Sequence, residues 1–183
     1  MSSHRTLTRP GMGQGFLRTG LCIGLAGGLA EIGVVWLYSA LTGGDAAMIA
    51  RHVGYAIGLG GASAATGIAI HMGLAAVLGV GLLAALQTVA GRSARDRVVF
   101  PFMLASLAIV WTFNFFVLLP VLSPDFVHLL PYGLTLASKL SFGLTAAVTL
   151  RALPPAVWLR AAPGPSYAGA PVPASAHARY SRT

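Results

Sequence analysis

Four stretches of this 183-residue chain, 16–41, 63–86, 98–121 and 131–150, run for 20 residues or more with at most two charged side chains each. A helix needs about 20 apolar residues to cross the hydrocarbon core of a bilayer. No strand-type alternation interrupts these runs, so a transmembrane barrel is excluded. The composition closes off the other classes. Hydrophobic residues make up 56% of the chain and charged residues only 9%, with 23 glycines besides, and the mean hydropathy is +0.77. Disorder, collagen, coiled coil and a disulfide-stapled scaffold do not have such a composition. Neither does a soluble enzyme, because 12 basic and 4 acidic side chains cannot cover its surface. The fold expected is all-α, an integral membrane four-helix bundle with four transmembrane spans. The lone Cys22 excludes an intrachain disulfide.

The basic residues orient the spans. Arg5, Arg9 and Arg18 lie at or before the start of span 1, Arg92, Arg95 and Arg97 fill the connection between spans 2 and 3, and Arg151, Arg160, Arg179 and Arg182 follow span 4. With four spans these fall on one side, which the positive-inside rule makes cytoplasmic, with both termini inside. Asp45, Arg51, His52, Asp125 and His128 are left on the outer side. Segment 46–58 tempts a fifth span, but 13 helical residues cover only about 20 Å. Its Arg51, His52 and Tyr55 share one helical face, and Ile49, Val53 and Ile57 another. With Asp45 as N-cap and Gly60-Gly61 as stop, it reads as an amphipathic helix on the outer surface. Span 1 exceeds the roughly 7–15 apolar residues of a signal peptide.

Prolines mark the breaks. Pro101 is placed in the first turn of span 3 and Pro131 at the start of span 4, where a missing N–H is harmless. Pro120, Pro124 and Pro131 bound the outer connection 123–130. Residues 1–15 are read as a cytoplasmic segment, 16–153 as the membrane domain, and the Pro/Ala-rich stretch 154–183 as a disordered cytoplasmic tail. Arginine far in excess of lysine, with abundant Ala and Gly, points to a GC-rich bacterial genome, hence a bacterial cytoplasmic (inner) membrane.

Each span carries one strongly polar group: Glu31, His71, Asn114 and Lys139. Counted at 1.5 Å per residue, they lie roughly 15, 12, 9 and 12 Å below the outer ends of their helices. Three of them stand on small-residue stripes: Glu31 with Gly20, Gly24 and Gly28; His71 with Ala64, Gly67 and Ala75; Lys139 with Thr135, Gly143 and Ala146. Such stripes let helices approach closely and face the bundle interior. An isolated charge at this depth costs about 2.5–3.5 kcal/mol, so Glu31 and Lys139 are expected to pair, with His71 and Asn114 completing the hydrogen bonds. Asn114 fits least, since Leu107, Val110 and Leu118 share its face.

Other chemistries are weaker. A haem needs two facing histidines, and only His71 lies within a span, leaving His128, or Met72 or Met103, as second ligand. Asp45, His52, Asp125 and His128 carry no tight metal-binding motif, so neither metal nor cofactor is expected. Nucleophile elbows, zinc-protease and phosphate-loop motifs are absent, and no basic stripe interleaved with aromatics offers a nucleic-acid surface. The reading is a non-enzymatic accessory or structural subunit of a larger membrane complex, its partners being the bilayer and other membrane subunits or further copies of itself. A small transporter or proton-conducting oligomer with Glu31 as carrier is the second reading, and a haem- or quinol-binding redox subunit the third.

Overall fold

The computed structural model describes residues 12–90 and 95–153, and all its regular structure is helical. α1 spans Met12–Thr42, α2 Ala46–Tyr55, α3 Ala64–Ala90 and α4 Arg95–Phe113. A π-helical turn, Asn114–Leu118, leads from α4 into the short α5, Leu119–Leu122. α6, Pro124–Val127, and α7, Tyr132–Ala152, complete the chain. Four helices are long and apolar enough to cross a membrane: α1, α3, α7 and the continuous α4–α5 rod. The stretch 154–183, read as a tail, and Arg5, Arg9, Arg92, Arg160, Arg179 and Arg182 lie outside the described residues.

The long helices pack in the order α3, α1, α7, α4, so that α1 is flanked on both sides. Close approach of α1 to α3 depends on missing side chains. A Cβ on Gly20 would lie 2.7 Å from the Cα of Val80, one on Gly24 would collide with the Ala75 carbonyl oxygen, and Gly79 of α3 faces Gly20 and Gly24 in turn. Backbone-to-backbone packing of this kind supplies the van der Waals attraction that burial cannot supply between helices in lipid. On the other side of α1, Gly27 receives the ring of Phe142, and Gly143 of α7 rests on the backbone of Met103 in α4. Gly67 serves a different contact from that of a span-to-span stripe: its open side meets the Ala50 carbonyl of α2.

One apolar core lies toward the α3–α4 connection. It gathers Leu82, Leu83 and Leu86 of α3, Val99, Met103 and Leu107 of α4, and Phe142, Ala146 and Leu150 of α7. Toward the α2 end, α3 and α4 diverge, and few contacts join them.

Three local features depart from the sequence expectation. α4 begins at Arg95, so Pro101 lies within the helix and not in its first turn. There it removes the N–H that would bond the Arg97 carbonyl. α2 ends at Tyr55, ahead of Gly60-Gly61; Gly58, at φ +85°, already turns the chain left-handed. Pro120 does not end its helix either. It lacks an N–H for the Phe116 carbonyl and its ring crowds that group, so the preceding turn widens and Leu119 N–H bonds back to the Asn114 carbonyl.

Candidate functional site

Glu31 sits two-thirds of the way along α1, between α3 and α7, and only 4% of it is exposed. Lys139 reaches it from α7. The ammonium nitrogen lies 2.8 Å from Oε1 and 3.0 Å from Oε2, so one cation spans both carboxylate oxygens. His71 approaches from α3, with Nε2 3.6 Å from Glu31 Oε2. That distance exceeds a hydrogen bond, and Nε2 is buried without a hydrogen-bond partner. Three spans thus bring their ionisable groups to one point.

Asn114 stands apart from this triad. It opens the π-helical turn on the far side of a cavity that the triad also lines, and no hydrogen bond joins its amide to Glu31, His71 or Lys139. Completion of the triad's hydrogen bonds by Asn114, expected from the sequence, does not occur. The reason is register: Phe115 and Phe116, beside Asn114, pack on Tyr132 at the start of α7, about two helical turns from Lys139.

The divergence leaves a cavity of about 660 Å³. Its floor is the triad; its walls are the first half of α3 and the α4–α5 rod, and the apolar face of α2 closes one side through Ile49, Val53 and Ile57. Phe126 of α6 stands at the same end. Volumes of this size suit small-molecule ligands, which favour apolar walls with a few placed polar groups. Thr135 and Ser138 also line it, but each hydroxyl donates to a carbonyl one turn back on α7, those of Tyr132 and Thr135.

An aromatic cluster braces the α4–α7 side. Trp111 donates its indole N–H to Thr135 Oγ1 at 3.0 Å, stacks with Phe115 and meets Phe116 and Tyr132 edge-on. The sequence signal for this brace is the Trp111–Phe115 spacing of one helical turn. The α2 wall was visible as amphipathicity, but not what its apolar face would cover.

The remaining polar residues occupy the α2 end. Asp45 caps α2 by accepting the Met48 N–H at 3.0 Å and pairs with Arg51 at 3.3 Å. The Met48 hydrogen bond is the main reason its carboxyl titrates below the ordinary value of 3.8. His52 Nδ1 lies 2.9 Å from the Met48 carbonyl and its ring meets Tyr55 edge-on. Asp125 opens α6 and His128 ends it, both exposed. Among the described residues, no three His, Cys, Asp or Glu side chains group as a metal ion would require.

Four helices long and apolar enough to cross a membrane fit a multi-pass membrane protein, with a buried ion pair and an apolar cavity beside it. No protein-family profile, curated protein or solved structure matches the chain.

Proposed function

We propose that this protein is a non-enzymatic accessory subunit of a bacterial cytoplasmic membrane that holds an apolar small molecule in the cavity between α3 and α4. The observation that carries this reading is the cavity itself, apolar along its walls and polar only at its floor and on Asn114. Its carboxylate is committed elsewhere: both oxygens of Glu31 face Lys139. A carboxylate so engaged is a clasp between α1 and α7, and it is a poor base or proton carrier. The transport reading, with Glu31 as carrier, is correspondingly less supported.

The placement of charge supports four spans with both termini inside. Arg18, Arg97 and Arg151 all lie at the helix ends opposite α2, which the positive-inside rule assigns to the cytoplasm. α2 then lies at the outer interface, apolar face on the cavity and Asp45 and Arg51 toward water. The partners are the bilayer and a membrane subunit, or further copies of this chain, and not nucleic acid.

Mild-detergent purification of the tagged full chain tests the role. A stoichiometric membrane partner together with a retained lipid-like molecule is the expected result. A lone, ligand-free monomer from native membranes would overturn it.

A further inference from the structure

The cavity's polar groups define what its occupant must look like, and this step rests on the cavity being a binding site. Charge comes first. The Lys139 ammonium lies against both oxygens of Glu31, so the opposite charges of the floor are paired with each other. The next described acid and arginine, Asp45 and Arg51, pair with each other at the protein surface. An anionic head entering this space would lose water without meeting an uncompensated cation, and a cationic head would meet no free carboxylate.

Hydrogen-bonding capacity comes second. Lys139 donates to Glu31 Oε2 and its nitrogen lies 2.8 Å from Oε1, so of its three N–H groups at least one is left over. The Asn114 amide, half-buried on the opposite wall, holds two N–H donors engaged by no other side chain of the described residues. Thr135 and Ser138 spend their only O–H on their own helix. Left over around the cavity are donors on Lys139 and Asn114, together with the Asn114 Oδ1, an acceptor, and His71 Nε2, which has no partner. They face each other across a space bounded elsewhere by aliphatic side chains such as Ile32, Val35 and Leu78.

We infer that the cavity binds an uncharged, long-chained lipid whose head accepts hydrogen bonds, with head oxygens on Asn114 and the spare Lys139 N–H and the chain lying between α3 and α4. Isoprenoid quinones and diacylglycerols share this chemistry; fatty acids and phospholipids, with their anionic heads, do not.

The full chain in dodecylmaltoside micelles tests this through Trp36, whose side chain lines the cavity. The probe is a naphthoquinone with a short isoprenoid chain, a quencher of tryptophan emission. Saturable quenching is expected. It should be lost in the cavity-filling variant Ala47→Phe/Val53→Phe, and Asn114→Leu should raise the half-saturating concentration about tenfold, the loss of a buried hydrogen bond. Asn114→Ser replaces the leucine variant if the latter aggregates. Dioleoylglycerol as competitor distinguishes the sources: displacement means that the carbonyl head suffices, and its failure means that a quinone ring is required, either result upholding the inference. Palmitate should not compete.

Two results overturn it at different levels. If quenching saturates and depends on the cavity, but palmitate competes as well as the quinone or Asn114→Leu binds normally, the head-group assignment is wrong while the cavity remains a binding site. If quenching is linear and unchanged in the filled variant, the cavity is not a site and both readings fall.

Discussion

Removing the ammonium from the α1–α7 clasp gives the most direct test of the fold's energetics. In Lys139→Met the stem volume is nearly kept, but the Glu31 carboxylate, with its side chain 5% exposed, loses the partner at 2.8 Å. Breaking a buried pair from one side costs about 3–5 kcal/mol, because the surviving charge stays out of water. The structure places this case at the low end. His71 Nε2 lies 3.6 Å from the same carboxylate, close enough for a small rotation to make it the replacement cation. Lys139→Met is therefore expected to cost about 3 kcal/mol, and Lys139→Met/His71→Leu about 5 kcal/mol. Removing both charges with Glu31→Met/Lys139→Met should return stability to within about 1 kcal/mol of the native chain, since an apolar pair of similar volume has no charge to desolvate. The assay is unfolding by SDS titration in maltoside micelles, followed by tryptophan emission. If Lys139→Met unfolds within about 0.5 kcal/mol of the native protein, or if the double replacement costs the sum of the two single ones, the pair is not a buried clasp and the reasoning fails.

Four further outcomes follow from other parts of the molecule. Gly24→Val should separate α1 from α3, because its Cβ meets the Ala75 carbonyl; a loss of about 1–3 kcal/mol or more is expected in the same titration. Gly33→Ala, with open space around it, should be neutral or slightly stabilising. Asp45 titrates lower in the folded chain than in the unfolded one, so its ionised cap supports α2 above the unfolded value and the support disappears as pH falls through the folded value. Protection of the α2 amides, taken relative to the intrinsic exchange rate at each pH, should fall on acidification below the ordinary 3.8, and Asp45→Asn, which caps without titrating, should show no such step. Trp111→Phe removes the 3.0 Å bond to Thr135 and should lower stability by about 0.5–1.5 kcal/mol, read by the same unfolding curve.

The helices were legible in the sequence because length and apolarity alone dictate a span, and Asp45 announced α2 as a cap residue must. Glu31, His71 and Lys139 stand on small-residue stripes, and these are the three whose side chains lie together. Asn114, among Leu107, Val110 and Leu118, is the one that stands apart. Small residues mark where backbones approach, so polarity on such a stripe is drawn to a neighbouring helix, while polarity among large residues is held off by them. The divergence of α3 from α4 was not legible. Leu and Val face lipid and protein alike, so hydropathy does not say which spans adjoin. The π-helical turn had a local cause in Pro120, but whether a proline ends, kinks or widens a helix depends on what lies beyond it, and here α5 continues the α4 rod to Leu122.

The 108-residue separation between the partners of the clasp gives synthesis an order of events. Glu31 leaves the ribosome first, His71 follows 40 positions later, and Lys139 a further 68 after that (139 minus 71). At about 5–20 residues per second, the nascent acid waits roughly 3–14 seconds between its two companions. In that interval α1 and α3, which meet through Gly20, Gly24 and Gly79 in the finished fold, are both made, so His71, 3.6 Å from the carboxylate in that fold, is the one companion already present.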